Sequence, residues 1–133
     1  MNKELLKIDK LFKENKFNQV IKKTKSLINS NEQIPPYYNL LGLSLSRIGK
    51  DIDAEKNFLE GIKKYPNEIS LRSNIAQVQL NLKKITEAEK NLNYAFKIDE
   101  EDIFTLFVQG KLKREQFKLE ESVTIFKKIC EKN

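Results

Sequence analysis

The chain has 133 residues, 33% charged and 39% apolar, with a formal charge of +6 that comes mostly from lysine. That length admits one ordinary domain with a real core, and no run approaches the roughly eighteen uninterrupted apolar residues of a membrane-spanning helix. Histidine is absent, which removes the commonest general base near neutral pH, the commonest metal ligand and the usual activator of a Ser or Cys nucleophile; the expectation is a chain that is not an enzyme and holds no cofactor or metal.

The first stretch, MNKELLKIDKLFKENKF, has no uncharged apolar segment and does not read as a secretory signal. Apolar spacing predicts helices over about residues 2–14 and 17–29, paired through Leu5, Leu11, Phe12, Phe17, Val20 and Leu27. Next come Tyr38, Leu41 and Leu45 at helical steps, a turn at Gly49-Lys50, a second helix through Phe58, Ile62 and Tyr65, and a stop at Pro66-Asn67. A similar pair of helices follows twice more. The stretch DEEDIF at Asp99–Phe104 gathers four acids but lacks the glycine and alternating oxygens of a calcium loop, so it reads as a helix N-terminus. Cys130 is the only cysteine; it fits a reducing cytoplasm and reads as an inert packing thiol.

A shift of thirty-four residues brings the small positions into register. Gly42 falls on Ala76 and Gly110, Ala54 on Ala88 and Ser122, and Gly61 on Ala95, while Phe58 falls on Leu92 and Phe126. Glycine inside a helix is unfavourable by roughly 1 kcal/mol against alanine, so close helix packing must compensate. Gly42 and Ala54 are expected to let the two helices of one unit touch, and Gly61 to let the following unit's first helix settle. The first unit departs from the pattern, with Ile8 in the small position and Val20 in place of alanine, and is expected to pair less closely. In the third and fourth units Arg72, Gln79 and Lys113 stand where large apolar or aromatic residues belong, which is expected to loosen those units or shift the burden to Val78, Leu80, Leu82 and Leu112.

This pattern resembles the tetratricopeptide-repeat (TPR) family, whose helix–turn–helix unit has the same length. The resemblance implies an all-α fold, an α-solenoid of about four antiparallel units (1–34 degenerate, 35–68, 69–102 and 103–133) in one array over 1–133, coiled as a right-handed superhelix. It also implies a protein–protein interaction scaffold whose first helices line a concave groove for a peptide or protein segment. Residues carried onto that groove are Leu5, Asp9 and Phe12; Asn39, Leu43, Ser46 and Arg47; Ser73, Asn74, Gln77 and Asn81; and Phe107, Lys111 and Arg114. Asn39, Asn74 and Gln77 share one face, and amides can both donate to and accept from an extended peptide backbone.

The family's carboxylate clamp reads chaperone C-terminal tails with Lys, Asn and Arg. Here its places hold Asn39, Leu43, Asn74, Phe104 and Val108. Only Asn74 fits, which argues against a chaperone-tail partner. Nucleic acid is also disfavoured: the unit charges run +4, 0, −1 and +3 rather than forming a continuous basic stripe, and the aromatic residues are assigned mainly to the core rather than to an exposed stacking row. The lysine pairs on the second helices read as a solvated convex face. An alternative reading makes the chain the N-terminal accessory array of a larger sulfotransferase- or glycosyltransferase-like enzyme. The last helix, TIFKKICEKN, has no following polar helix to cover it, and a homodimer through that uncapped helix is one way to close the end.

Overall fold

The computed structural model describes residues 2–132 and contains eight helices: α1 (Lys3–Lys13), α2 (Phe17–Asn29), α3 (Pro35–Arg47), α4 (Asp51–Lys64), α5 (Ile69–Asn81), α6 (Ile85–Ile98), α7 (Ile103–Glu115) and α8 (Leu119–Lys132). They pack as four consecutive antiparallel pairs. The first helices also touch one another, α1 with α3, α3 with α5 and α5 with α7, whereas no two second helices are in contact. One layer is therefore closed and the other splayed, which bends the stack and places α1, α3, α5 and α7 on its inner side.

The turn within each pair is built the same way four times. Asn15, Gly49, Lys83 and Phe117, each thirty-four residues after the last, take left-handed backbone angles (φ 61°, 84°, 63° and 60°). The N–H of the following lysine then returns to a carbonyl of the last helical turn: Lys16 to Leu11, Lys50 to Leu45, Lys84 to Gln79 and Lys118 to Lys113, at 2.8–2.9 Å. This is the Schellman arrangement that satisfies orphan carbonyls at a helix end. Glycine occupies the left-handed site only in the second unit, which is why only that turn was visible in the sequence.

Packing inside each pair is a matter of complementary volume. A Cβ on Gly42 would stand 2.2 Å from Phe58 Cζ, and one on Gly110 would stand 2.7 Å from Phe126 Cζ. The third unit places Ala76 and Leu92 in one buried cluster. The first unit reverses the sizes: Ile8 takes the small position, and the ring position holds Thr24, both completely buried. Thr24 Oγ1 donates to the Val20 carbonyl at 2.7 Å, so its polarity is satisfied. α1 and α2 do approach over less of their length than the other pairs, as the bulk at Ile8 and Val20 predicts.

Two expectations change. Gly61 does not receive the following unit; a Cβ there would stand 3.0 Å from Tyr38 Cβ, so the glycine admits α3 of its own pair. Gln79, Arg72 and Lys113 do not simply loosen their units. Gln79, 3% exposed, donates to Glu55 at 3.1 Å and accepts from Asn91 at 2.9 Å. Arg72 lies 3.7 Å over the Tyr94 ring and also bonds Asn91 and the Pro66 carbonyl, and Lys113 faces Glu121 at 3.5 Å. Polar networks replace the missing apolar contacts, with Val78, Leu80 and Leu112 buried beside them.

Candidate functional site

The inner face offers two depressions. One, of about 350 Å³, is lined by Leu5, Leu6, Asp9, Pro36, Asn39, Leu40, Glu68 and Ser70. The other, of about 240 Å³, lies near the C-terminal ends of α5 and α7, among Gln77, Leu80, Asn81, Lys83, Lys111, Arg114 and Glu115.

The amides expected to meet a peptide backbone are engaged with one another. Asn74 Nδ2 donates to Asn39 Oδ1 at 2.8 Å, and Asn39 Nδ2 donates to Ser70 Oγ at 2.7 Å. Ser70 Oγ in turn donates to Glu68 at 3.2 Å. These bonds stitch α3 to α5. Gln77 Oε1 accepts from Lys111 Nζ at 3.0 Å and ties α5 to α7. Ser73 leaves the surface altogether: it is completely buried, its hydroxyl 2.7 Å from Thr105 Oγ1. The register that placed Ser73 on the groove also points it at α7, where its hydroxyl donates to Thr105 Oγ1 while Thr105 donates to Asp102 at 2.7 Å.

Aromatic and cationic groups form the accessible part. The Arg47 guanidinium stands 5.6 Å from the Phe12 ring and 5.8 Å from the Phe17 ring, and the two rings meet edge to face at 5.4 Å. Leu43 is half-buried against the core shared by the second and third units. Phe104 and Phe107, 39% and 38% exposed, stack with centroids 6.4 Å apart, and Lys111 Nζ lies 4.8 Å over Phe107. Burial holds the Lys111 ammonium below the ordinary lysine range, with the nearby Arg114 charge adding to the effect. Asp9 is paired with Lys13 and Glu115 with Lys83. Among the described residues no carboxylate lies within ion-pair reach of Arg47, Lys111 or Arg114, which leaves the inner face with an excess of cations.

Phe104, Ser70 and Pro36 escaped the sequence reading as site residues, although they occupy one position spaced by thirty-four. That spacing was the available signal. Asp102 caps α7 as expected of the acidic stretch, accepting from the Thr105 N–H at 2.9 Å. No cluster of three or more His, Cys, Asp or Glu able to hold a metal occurs among the described residues, and no described helix is long and apolar enough to cross a membrane. Cys130 is exposed rather than packed.

No protein-family model matches the sequence, and no curated protein is related to it at a significant level. Solved structures resemble it over most of its length. A MamA chain from Desulfovibrio magneticus RS-1 superposes with a TM-score of 0.75 at 16% identity, covering 98% of this chain and 76% of that one. YrrB, described as a TPR protein with an unusual peptide-binding site, gives 0.74 at 10% identity over 93% and 64%. The chain has the tetratricopeptide-repeat fold. The second TPR domain of Spaghetti (RPAP3), solved with the HSP90 peptide SRMEEVD, gives 0.65 at 24% identity over 75% of this chain and 93% of that domain. The inner helices of the stack are α1, α3, α5 and α7.

Proposed function

We propose that this chain is a non-catalytic cytoplasmic scaffold that holds an extended peptide or protein segment across the inner face of α1, α3, α5 and α7. The observation that carries the reading is the pairing of half-exposed Phe104 and Phe107 with the unpaired cations Lys111 and Arg114 beside an open cleft. Aromatic rings next to accessible cations offer a partner both apolar area and charge. The inter-helix amides hold the face in shape and leave recognition to the residues around them. A peptide-bound neighbour of the same fold supports the reading. A chaperone tail is not the proposed ligand, since Leu43, Phe104 and Val108 occupy clamp positions that call for polar or basic groups.

The test is selection of peptides from a displayed library on the wild-type chain, followed by binding to Phe107→Ala and Arg114→Glu. Both side chains are exposed, so the melting temperature should hold while affinity falls at least roughly tenfold. Peptides that bind both variants as well as wild type would place recognition elsewhere.

A further inference from the structure

Among the described helices α8 packs against α7 alone, whereas α4 and α6 each also meet the first helix of the following unit. The side of α8 corresponding to that covered face carries Leu119, Val123 and Cys130. Leu119 and Val123 are 59% and 52% exposed, and Cys130 is exposed as well. Their spacing of four and seven residues aligns them along one face of the helix.

This face differs in kind from its counterparts. The position of Val123 is Glu55 in the second unit and Glu89 in the third, and each ties its helix to the following unit: Glu55 accepts from Gln79 and from Lys84 Nζ at 2.7 Å, and Glu89 accepts from Gln116 at 3.3 Å. In the last unit the polar tie is replaced by valine. Glu120 and Lys127 border the stripe on its outer side, both exposed. Glu121 and Lys132, on the opposite side of the helix, are held by Lys113 and Glu101.

We propose that this face is closed by a second copy of the chain, with the two α8 helices packed antiparallel about a two-fold axis. Such an interface is self-complementary. Antiparallel packing brings Leu119 of each copy near Cys130 of the other and meets Val123 with the Val123–Phe126 region of the second copy. It also sets Glu120 opposite Lys127 twice, whereas a parallel two-fold pair would carry these charges to opposite edges of the interface and leave them unpaired. Burial of the apolar stripe supplies the stability, and the bordering charges choose the orientation.

Sedimentation equilibrium of the whole chain over a concentration series tests this. Wild type should show a reversible monomer–dimer equilibrium. Val123→Glu should raise the half-dimer concentration roughly tenfold or more without changing the helical content of the monomer, because Val123 is already half exposed there. Glu120→Lys should weaken association, and adding Lys127→Glu should restore it. Under mild oxidation Leu119→Cys should give a dimer cross-linked to Cys130, while the wild-type chain should not cross-link through Cys130 alone. Monomer at every concentration, or a dimer indifferent to Val123→Glu, overturns the proposal. A charge-reversed pair that does not recover, or ready Cys130–Cys130 linkage, overturns the antiparallel arrangement.

Discussion

The Phe58 ring lies so close over Gly42 that a single added carbon would fall 2.2 Å from Phe58 Cζ. Phe58 is completely buried, so the ring has no room to retreat. Gly42→Ala gains about 1 kcal/mol of helix propensity but must displace a packed ring, a change that typically costs 1–3 kcal/mol, sometimes more. The expected outcome in urea unfolding is a net loss of about 1 kcal/mol. Pairing it with Phe58→Leu, which reproduces the Ala76 and Leu92 combination of the third unit, should recover at least half of that loss.

The four left-handed turn residues predict a graded series. A bulky side chain in that backbone region is strained by roughly 1–2 kcal/mol, whereas asparagine visits it readily. Phe117→Gly and Lys83→Gly should therefore raise stability by about 0.5–1 kcal/mol after the added freedom of the unfolded glycine is subtracted. Asn15→Gly should change little, and Gly49→Ala should lose about 1 kcal/mol. Thermal unfolding of the four variants, ranked side by side, checks the order.

Glu55 is 8% exposed and accepts from both Gln79 and Lys84. Glu55→Ala strands two donors and should cost about 1–3 kcal/mol. Lys84 holds its proton more tightly than an ordinary lysine, first because its ammonium donates to Glu55, with desolvation opposing and the charges of Glu55 and Glu87 adding. A proton bound more tightly in the folded than in the unfolded chain gives stability that is fully present below the unfolded pKa and lost as pH rises through the raised folded value. The Tm curves of wild type and Lys84→Met should therefore be separate at neutral pH and converge above the ordinary lysine value of 10.5.

Asn74 is 7% exposed and its donor is committed to Asn39. Asn74→Ala should cost about 1 kcal/mol or more by leaving the Asn39 Oδ1 without its donor between α3 and α5. The same change at exposed Asn81 should cost less than about 0.5 kcal/mol. Parallel urea titrations of the two variants distinguish an amide that holds helices together from one that faces solvent.

Eight helices in four pairs were legible because Gly42, Ala76 and Gly110 recur against Phe58, Leu92 and Phe126, and packing of that kind leaves a period in the sequence. The first unit obeys the same volume rule with the sizes exchanged. Thr24 escaped notice because its partner relation to Ile8 appears only when both members of the pair are read together. Three of the four turns were invisible for a similar reason: left-handed geometry is forced by the helix ending, Lys83 and Phe117 are not suited to it, and Asn15 marks it less distinctly than Gly49. Of the inner-face residues carried over from the family resemblance, Phe107 and Lys111 are in contact on α7 and Arg114 is exposed beside them. Ser73 is buried instead, because helical spacing gives a side chain's direction but not the hydroxyl of Thr105 waiting on the next helix.

Among the described residues no helix touches any other that lies more than two places away along the chain. Each contact therefore closes over a short loop, and the entropy lost in bringing its ends together stays small. A molecule wired so locally has little topological searching to do, and folding within roughly milliseconds is the expectation for such low contact order. Order can begin at any hairpin and spread to its neighbours. Pulled from its two ends, the same chain should yield one hairpin after another, because no long-range clasp forces the whole to give way at once.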